Sequence, residues 1–146
     1  MGSAVCPEST EIVDFTICDE NGLPTNTIEK GTEFTIRMRI RFARRVESPI
    51  FAYSIKDLKG TEITGTNTMY EDADVGPKDP GDVTEVSFRQ NMTLQGGEYL
   101  LSLGCTGYKD GDFQVFHRLY DVCNITVLST KNTVGFYDMF SKVEVH

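Results

Sequence analysis

Arg37, Arg39 and Arg41 stand at every second position of FTIRMRIRF, residues 34–42. In an extended strand that spacing puts three guanidinium groups on one face. Guanidinium forks bind carboxylate or phosphate in bidentate fashion, and they can equally grip the hydroxyls of a sugar. Two uses fit the stripe. It is either a recognition surface or a solvated ladder balanced by acids across the strand pair, to which Glu85 and Arg89, in phase on another strand, would contribute. A second candidate is FHRLY, residues 116–120, where Phe116, Arg118 and Tyr120 share one face and His117 and Leu119 the other. A ring beside a fork suits binding by stacking and directional hydrogen bonds, whereas the alternative puts Phe116 and Tyr120 in the core.

Other chemistry is sparse. His117 and His146 are the only histidines, which argues against a histidine triad or a multi-histidine metal site and makes His117 a surface or half-buried strand residue. No G-x-x-x-x-G-K-[ST], G-x-S-x-G or H-E-x-x-H motif is present. Glu71, Asp72, Asp74, Asp79 and Asp82 form the densest acidic cluster. A carboxylate pair for glycoside cleavage stays open on counting alone, but the Gly- and Pro-bearing surroundings read as a solvated loop. The spacing fits no EF-hand, so calcium is a weak reading, and no cofactor is expected. Cys6, Cys18, Cys105 and Cys123 are widely spaced, which favours reduced, partly buried thiols over zinc or redox motifs. Two disulfides would instead suit an extracellular immunoglobulin-like adhesion module. The sequons at Asn91 and Asn124 read as chance matches, because the start lacks the features of a signal peptide.

The elements that must carry these residues alternate with period two almost throughout. Val13, Phe15 and Ile17 share a face in 11–19, and Phe34, Ile36, Met38, Ile40 and Phe42 share one in the arginine stretch. Phe51, Tyr53 and Ile55 follow, then a short strand or sheet edge at 61–68. Val86, Phe88, Met92 and Leu94 resume the pattern, then Tyr99, Leu101 and Leu103. Residues 113–129 read as one long strand, or two joined by a bulge near Asp121, and KVEV, 142–145, as a final short strand. NGLPTNTIEKG, MYEDADVGPKDPGD and TGYKDGD read as loop, long surface loop and turn. About eight strands with turn signals and no useful amphipathic helix predict an all-β, immunoglobulin-like antiparallel sandwich. The 146 residues suit one domain, 11–146, behind a flexible segment or cloning remnant at 1–10. A formal net charge of -8 argues against non-specific nucleic-acid binding and against docking on an anionic membrane.

Taken in order, EIVDFTICDENGLPTNTIEKGTEFTIRMRIRF, SPIFAYSIKDLKGTEITGTNT, GDVTEVSFRQNMTLQGGEYLLSLG and FHRLYDVCNITVL resemble one family over nearly the whole chain. The set is similar to the carbohydrate-binding C-terminal domain of Wzt, the nucleotide-binding subunit of ABC transporters that export O-antigen polysaccharide. The most specific element is SIKDLKGTEITGTNT, residues 54–68. The resemblance implies a non-catalytic domain that recognises the exported polysaccharide, with the ATPase in a separate part of the full-length protein. It implies a homodimer formed by exchange of the C-terminal strand, which would give KVEV its partner. It also implies work in the cytoplasm, at the inner face of the inner membrane, beside a membrane subunit. Asp57, Gly60, Gly65, Asn67 and Thr68 look structural in this family, so the binding site is left to physical argument. That argument selects Arg37, Arg39, Arg41, His117, Arg118 and Tyr120 as candidate carbohydrate-binding residues. The adhesion module and a glycoside-processing enzyme remain as alternatives.

Overall fold

The computed structural model describes residues 9–146, with Lys109 by its backbone alone. Eight strands follow one another: β1 Glu11–Cys18, β2 Thr27–Glu29, β3 Glu33–Arg41, β4 Ser48–Asp57, β5 Glu62–Asn67, β6 Val83–Asn91, β7 Gly97–Lys109 and β8 Asp112–Leu128. They form a three-stranded sheet, β1-β3-β6, and a five-stranded sheet, β2-β8-β7-β4-β5. All pairings are antiparallel except β2 with β8. No helix is present among the described residues, and so none that could cross a membrane.

The alternation in β3 explains the layering. Phe34, Ile36, Met38, Ile40 and Phe42 are all buried and face the inner residues of the other sheet. Those are Phe51, Tyr53 and Ile55 of β4, Leu101, Leu103 and Cys105 of β7, and Ile125 and Val127 of β8. Each fully buried apolar side chain of this size stabilises the fold by roughly 1.5–3 kcal/mol, which is what holds two amphipathic sheets face to face. Ring edges lock the layers, Phe42 against Phe51 at 6.1 Å and Tyr53 against Phe88 at 5.1 Å between centroids.

Four sequence expectations need correction. Val13 does not point inward: the β1–β3 register slips between Ile12 and Asp14, so Ile12 takes the core position and Val13 is exposed. The segment after β1 is not all loop, because Thr27–Glu29 adds a short parallel edge strand that buries Ile28. The turn expected at 106–112 shrinks to Asp110 and Gly111, both at positive φ, since β7 runs on to Lys109. Residues 142–145 form no strand within the chain, and Val143 and Val145 are 82% and 92% exposed. The bulge near Asp121 is present, with Asp121 at φ 52°. Cys18, Cys105 and Cys123 are free thiols, while Cys6 lies outside the described residues.

Candidate functional site

The arginine stripe lies on the outer face of the three-stranded sheet, and register decides its neighbours. Arg39 pairs with Asp14 on β1 and Glu85 on β6, and Arg41 pairs with Glu11 on β1. Arg39 donates to the Asp14 carboxylate and Arg41 to Glu11. Arg37 lies 3.5 Å from Glu85, and Arg89 lies 3.9 Å from Glu33. The Asp14 hydrogen bond raises the Arg39 guanidinium above its ordinary value. Each arginine of the stripe therefore faces an acid across the strand pair, and the donors a ligand would need are largely engaged.

The second candidate set sits on the other sheet. Residues 50, 52, 54 and 56 of β4 point away from the core, opposite Thr106, Gly104, Ser102 and Leu100 of β7. Arg118 is opposite Gly104 on β8, and a Cβ at Gly104 would sit 3.8 Å from Arg118 Cγ, so the arginine stem runs across the glycine. Arg118 Nη1 donates toward Tyr120 Oη at 3.5 Å, and Tyr120 is 67% exposed. Beside them Lys56 reaches Asp121 at 2.9 Å, and the Asp121 amide donates to Ser102 Oγ at 2.9 Å. The bulge at Asp121 turns that carboxylate onto the same face. The result is a floor of small side chains, Ala52, Ser54, Ser102 and Gly104, with a fork, a ring, an ammonium and a carboxylate rising from it.

His117 separates from this pair. Its neighbour Leu119 packs on the core, and His117 Nδ1 accepts from the Ile12 amide at 2.9 Å, which ties β8 to β1. The stripe and the Arg118–Tyr120 pair are on different sheets, so the structure does not bring the six candidates together. Phe116 leaves the Arg118 face as well: the register slips between Cys105 and Thr106, and Phe116 packs partly against the core. Two rings outside the six candidates lie at the far end of the five-stranded face. Tyr108 and Phe113 meet edge to face at 5.6 Å and stay about half exposed. Tyr108 borders a cavity of about 480 Å³ walled by Met69 and Val75 of the long loop and by Ile50 of β4. Both rings belong to the aromatic residues that gather late in the sequence, Tyr108 inside the segment expected as a turn and Phe113 just after it.

The profile of the family described as "Wzt C-terminal domain" matches residues 7–139. The chain belongs to that family. A crystal structure of the C-terminal domain of Wzt superposes on this chain with a TM-score of 0.86 at 22% identity, covering 94% of this chain and 84% of the other. The CARDB domain of PF1109 from Pyrococcus furiosus is more distant, with a TM-score of 0.41 at 14% identity over 83% of this chain and 97% of that one. No curated protein matches the sequence.

In this Wzt C-terminal domain the segment after β8 is fastened back onto the sandwich. Gln95 donates to Thr133 and accepts from its amide, at 2.7 and 2.9 Å, and Asn132 accepts from Gly96. Lys30 Nζ meets Asp138 at 2.8 Å with both side chains about 95% buried. The Lys30 bond, then the Phe140 amide, pull the Asp138 carboxyl down to about 2. Beyond this anchor the Phe140 ring still lies against Lys30 and Lys131, while Met139, Val143 and Val145 are all at least 82% exposed.

Proposed function

We propose that this domain binds the polysaccharide carried by an ABC exporter, an O-antigen or related surface glycan. The proposed site is the outer face of the five-stranded sheet, with Arg118 and Tyr120 at its centre. One observation carries the reading: an unburied arginine–tyrosine pair stands on a floor of small residues, while the rival arginines of β3 are each met by an acid. A sugar ring can lie on Tyr120 while its hydroxyls take donors from Arg118 and Lys56 and offer protons to Asp121. The domain recognises and breaks no bond. On that face Asp121 is held by Lys56, and Glu98 accepts from Asn124 and Thr126, so neither acid is left poised for glycoside cleavage.

The same reading makes the domain a homodimer that exchanges its last residues. The anchor at Lys30–Asp138 holds the chain up to the point of departure, and the alternating Val143 and Val145 find no strand among the described residues. An unpaired alternating segment gains most by completing a sheet in a second copy. The partners are then the glycan, a second protomer, and the ATPase and membrane subunits of the exporter, at the cytoplasmic face of the inner membrane.

The test is titration with the polysaccharide of the source organism, or a glycan array, read by calorimetry. Arg118→Ala and Tyr120→Ala should each weaken binding by roughly 5- to 30-fold, the value of one or two lost hydrogen bonds or a ring contact. Arg39→Ala should leave it unchanged. Loss with Arg39→Ala and retention with Arg118→Ala would move the site to the other sheet.

A further inference from the structure

The two long sides of the sandwich are not alike. One is closed where β1 meets β8, through the Ile12 amide and His117. The other runs between β5 and β6, the end strands of their sheets, and opens into a cleft of about 390 Å³. That volume falls in the range of small-molecule sites, roughly 300–1,000 Å³. We infer that this cleft is a second saccharide site, built to take one neutral hydroxylated ring from the side of the sandwich. The inference rests on the carbohydrate-binding reading above and deepens it, because it assigns a subsite on a surface that reading does not use.

The cleft is blind. Beyond Tyr53 and Gln90 the seam narrows to a cavity of about 170 Å³ bounded by Tyr137, whose hydroxyl donates to Ile63 O of β5 and whose backbone pairs with Leu94 after β6. Gln90 forms the inner wall in a fixed orientation: its Nε2 donates to Phe88 O at 3.1 Å and approaches Phe34 O at 3.4 Å. This leaves Oε1 turned to the Tyr53 hydroxyl at 3.4 Å, a long contact for a phenol that is nine-tenths buried. A hydroxyl held by so long a contact gains from a ligand that offers a better partner. Burial first, then the nearby Glu71 carboxylate, push the Tyr53 phenol up, so it stays a neutral donor.

The walls divide by chemistry. Phe88, Val86 and Ala73 give an apolar surface for the C–H face of a ring. Glu71 stands at the lip, one oxygen accepting from Thr66 Oγ1 at 2.6 Å, and a carboxylate can accept further hydrogen bonds from ligand hydroxyls. Arg89 lies at the mouth, its side chain 71% exposed. The Glu71 carboxylate repels an acidic sugar and the phenol inside is neutral, which suits an uncharged polyol ring, while the Arg89 charge is offset by Glu33 at 3.9 Å.

The experiment is an amide-resolved NMR titration of the whole chain with neutral methyl pyranosides of mannose, glucose, galactose and rhamnose. Saturable shifts are expected at Thr66, Ala73, Phe88 and Gln90 with at least one of them. Glu71→Gln and Tyr53→Phe should each weaken that response by about tenfold. Tyr53→Phe keeps the ring that packs on Phe88, and an unchanged circular dichroism melt verifies that the variant is folded. Shifts confined to Ser102, Arg118 and Tyr120 would overturn the cleft and leave the sheet-face reading standing. Silence at both places with all four sugars, while the organism's own polysaccharide still shifts the sheet face, would likewise remove only the cleft. Silence with the polysaccharide too would remove both. Cleft shifts that neither variant alters would also overturn the inference, since the named groups would then make no contact with the ring.

Discussion

Replacing Lys30 with alanine tests whether one buried ion pair fastens the chain's last segment to the sandwich. Lys30 Nζ lies 2.8 Å from Asp138, 2.9 Å from Gln95 Oε1 and 2.7 Å from the Lys131 carbonyl, with its side chain 5% exposed. Removing one member of a buried pair costs about 3–5 kcal/mol, because the other charge is left without its partner. Lys131 Nζ stays 3.3 Å from Asp138 and softens the loss, so Lys30→Ala should cost about 3 kcal/mol, the lower end of that range. In a chain of this size that corresponds to a fall in Tm of about 6–12 °C. The pH dependence fixes the cause. The Asp138 carboxyl is held down at about 2, first by Lys30, so its contribution is complete above the unfolded carboxylate value of about 4 and is lost as pH falls through about 2. Thermal melts followed by circular dichroism should show the full gap between parent and Lys30→Ala at neutral pH. The gap should shrink as pH falls from about 4 through about 2, leaving the part that Lys30 contributes through Gln95 and the Lys131 carbonyl. A change under about 2 °C at pH 7, or a gap that persists undiminished in acid, would refute the anchor. Lys30→Met combined with Asp138→Leu should recover most of the loss, since a well-packed apolar pair often equals a buried ionic one.

Three further outcomes follow from the same structure. If the proposed strand exchange holds, deleting Val143–His146 should convert the dimer to a monomer, or cause aggregation, in sedimentation experiments, and a truncated chain that stays a stable dimer would contradict it. Gly107→Ala should destabilise by about 1–3 kcal/mol in denaturant titrations, because its Cβ would sit 2.9 Å from Ser48 O and 3.0 Å from the Phe116 ring. Burial pushes the Cys105 thiol up to about 12, so mass spectrometry should find Cys105 unalkylated in the native protein at pH 8 and alkylated, with Cys18 and Cys123, after denaturation. Labelling of native Cys105 would show that the layer over it opens.

The sequence by itself determined the layers of this protein and the family to which it belongs. Five apolar residues at every second position of 34–42 can be satisfied only by burying one face, and all five are buried as the alternation demands. Period two also puts Arg37, Arg39 and Arg41 outside, and no tertiary information is needed for that. What it leaves open is which strands lie beside β3. Only the pairing with β1 and β6 brings Asp14, Glu11 and Glu85 to the three arginines, across separations of up to about 50 residues that local alternation does not encode. The same holds where local pattern misled. Val13 alternates correctly yet sits outside, because a bulge shifts its register against β3. Thr27–Glu29 is too short to carry a period, and becomes a strand only because β8 offers it an edge. Residues 142–145 alternate but meet no such edge among the described residues. Alternation fixes which way a side chain points relative to its neighbours in sequence, and hydrogen bonding between distant strands decides what it then meets.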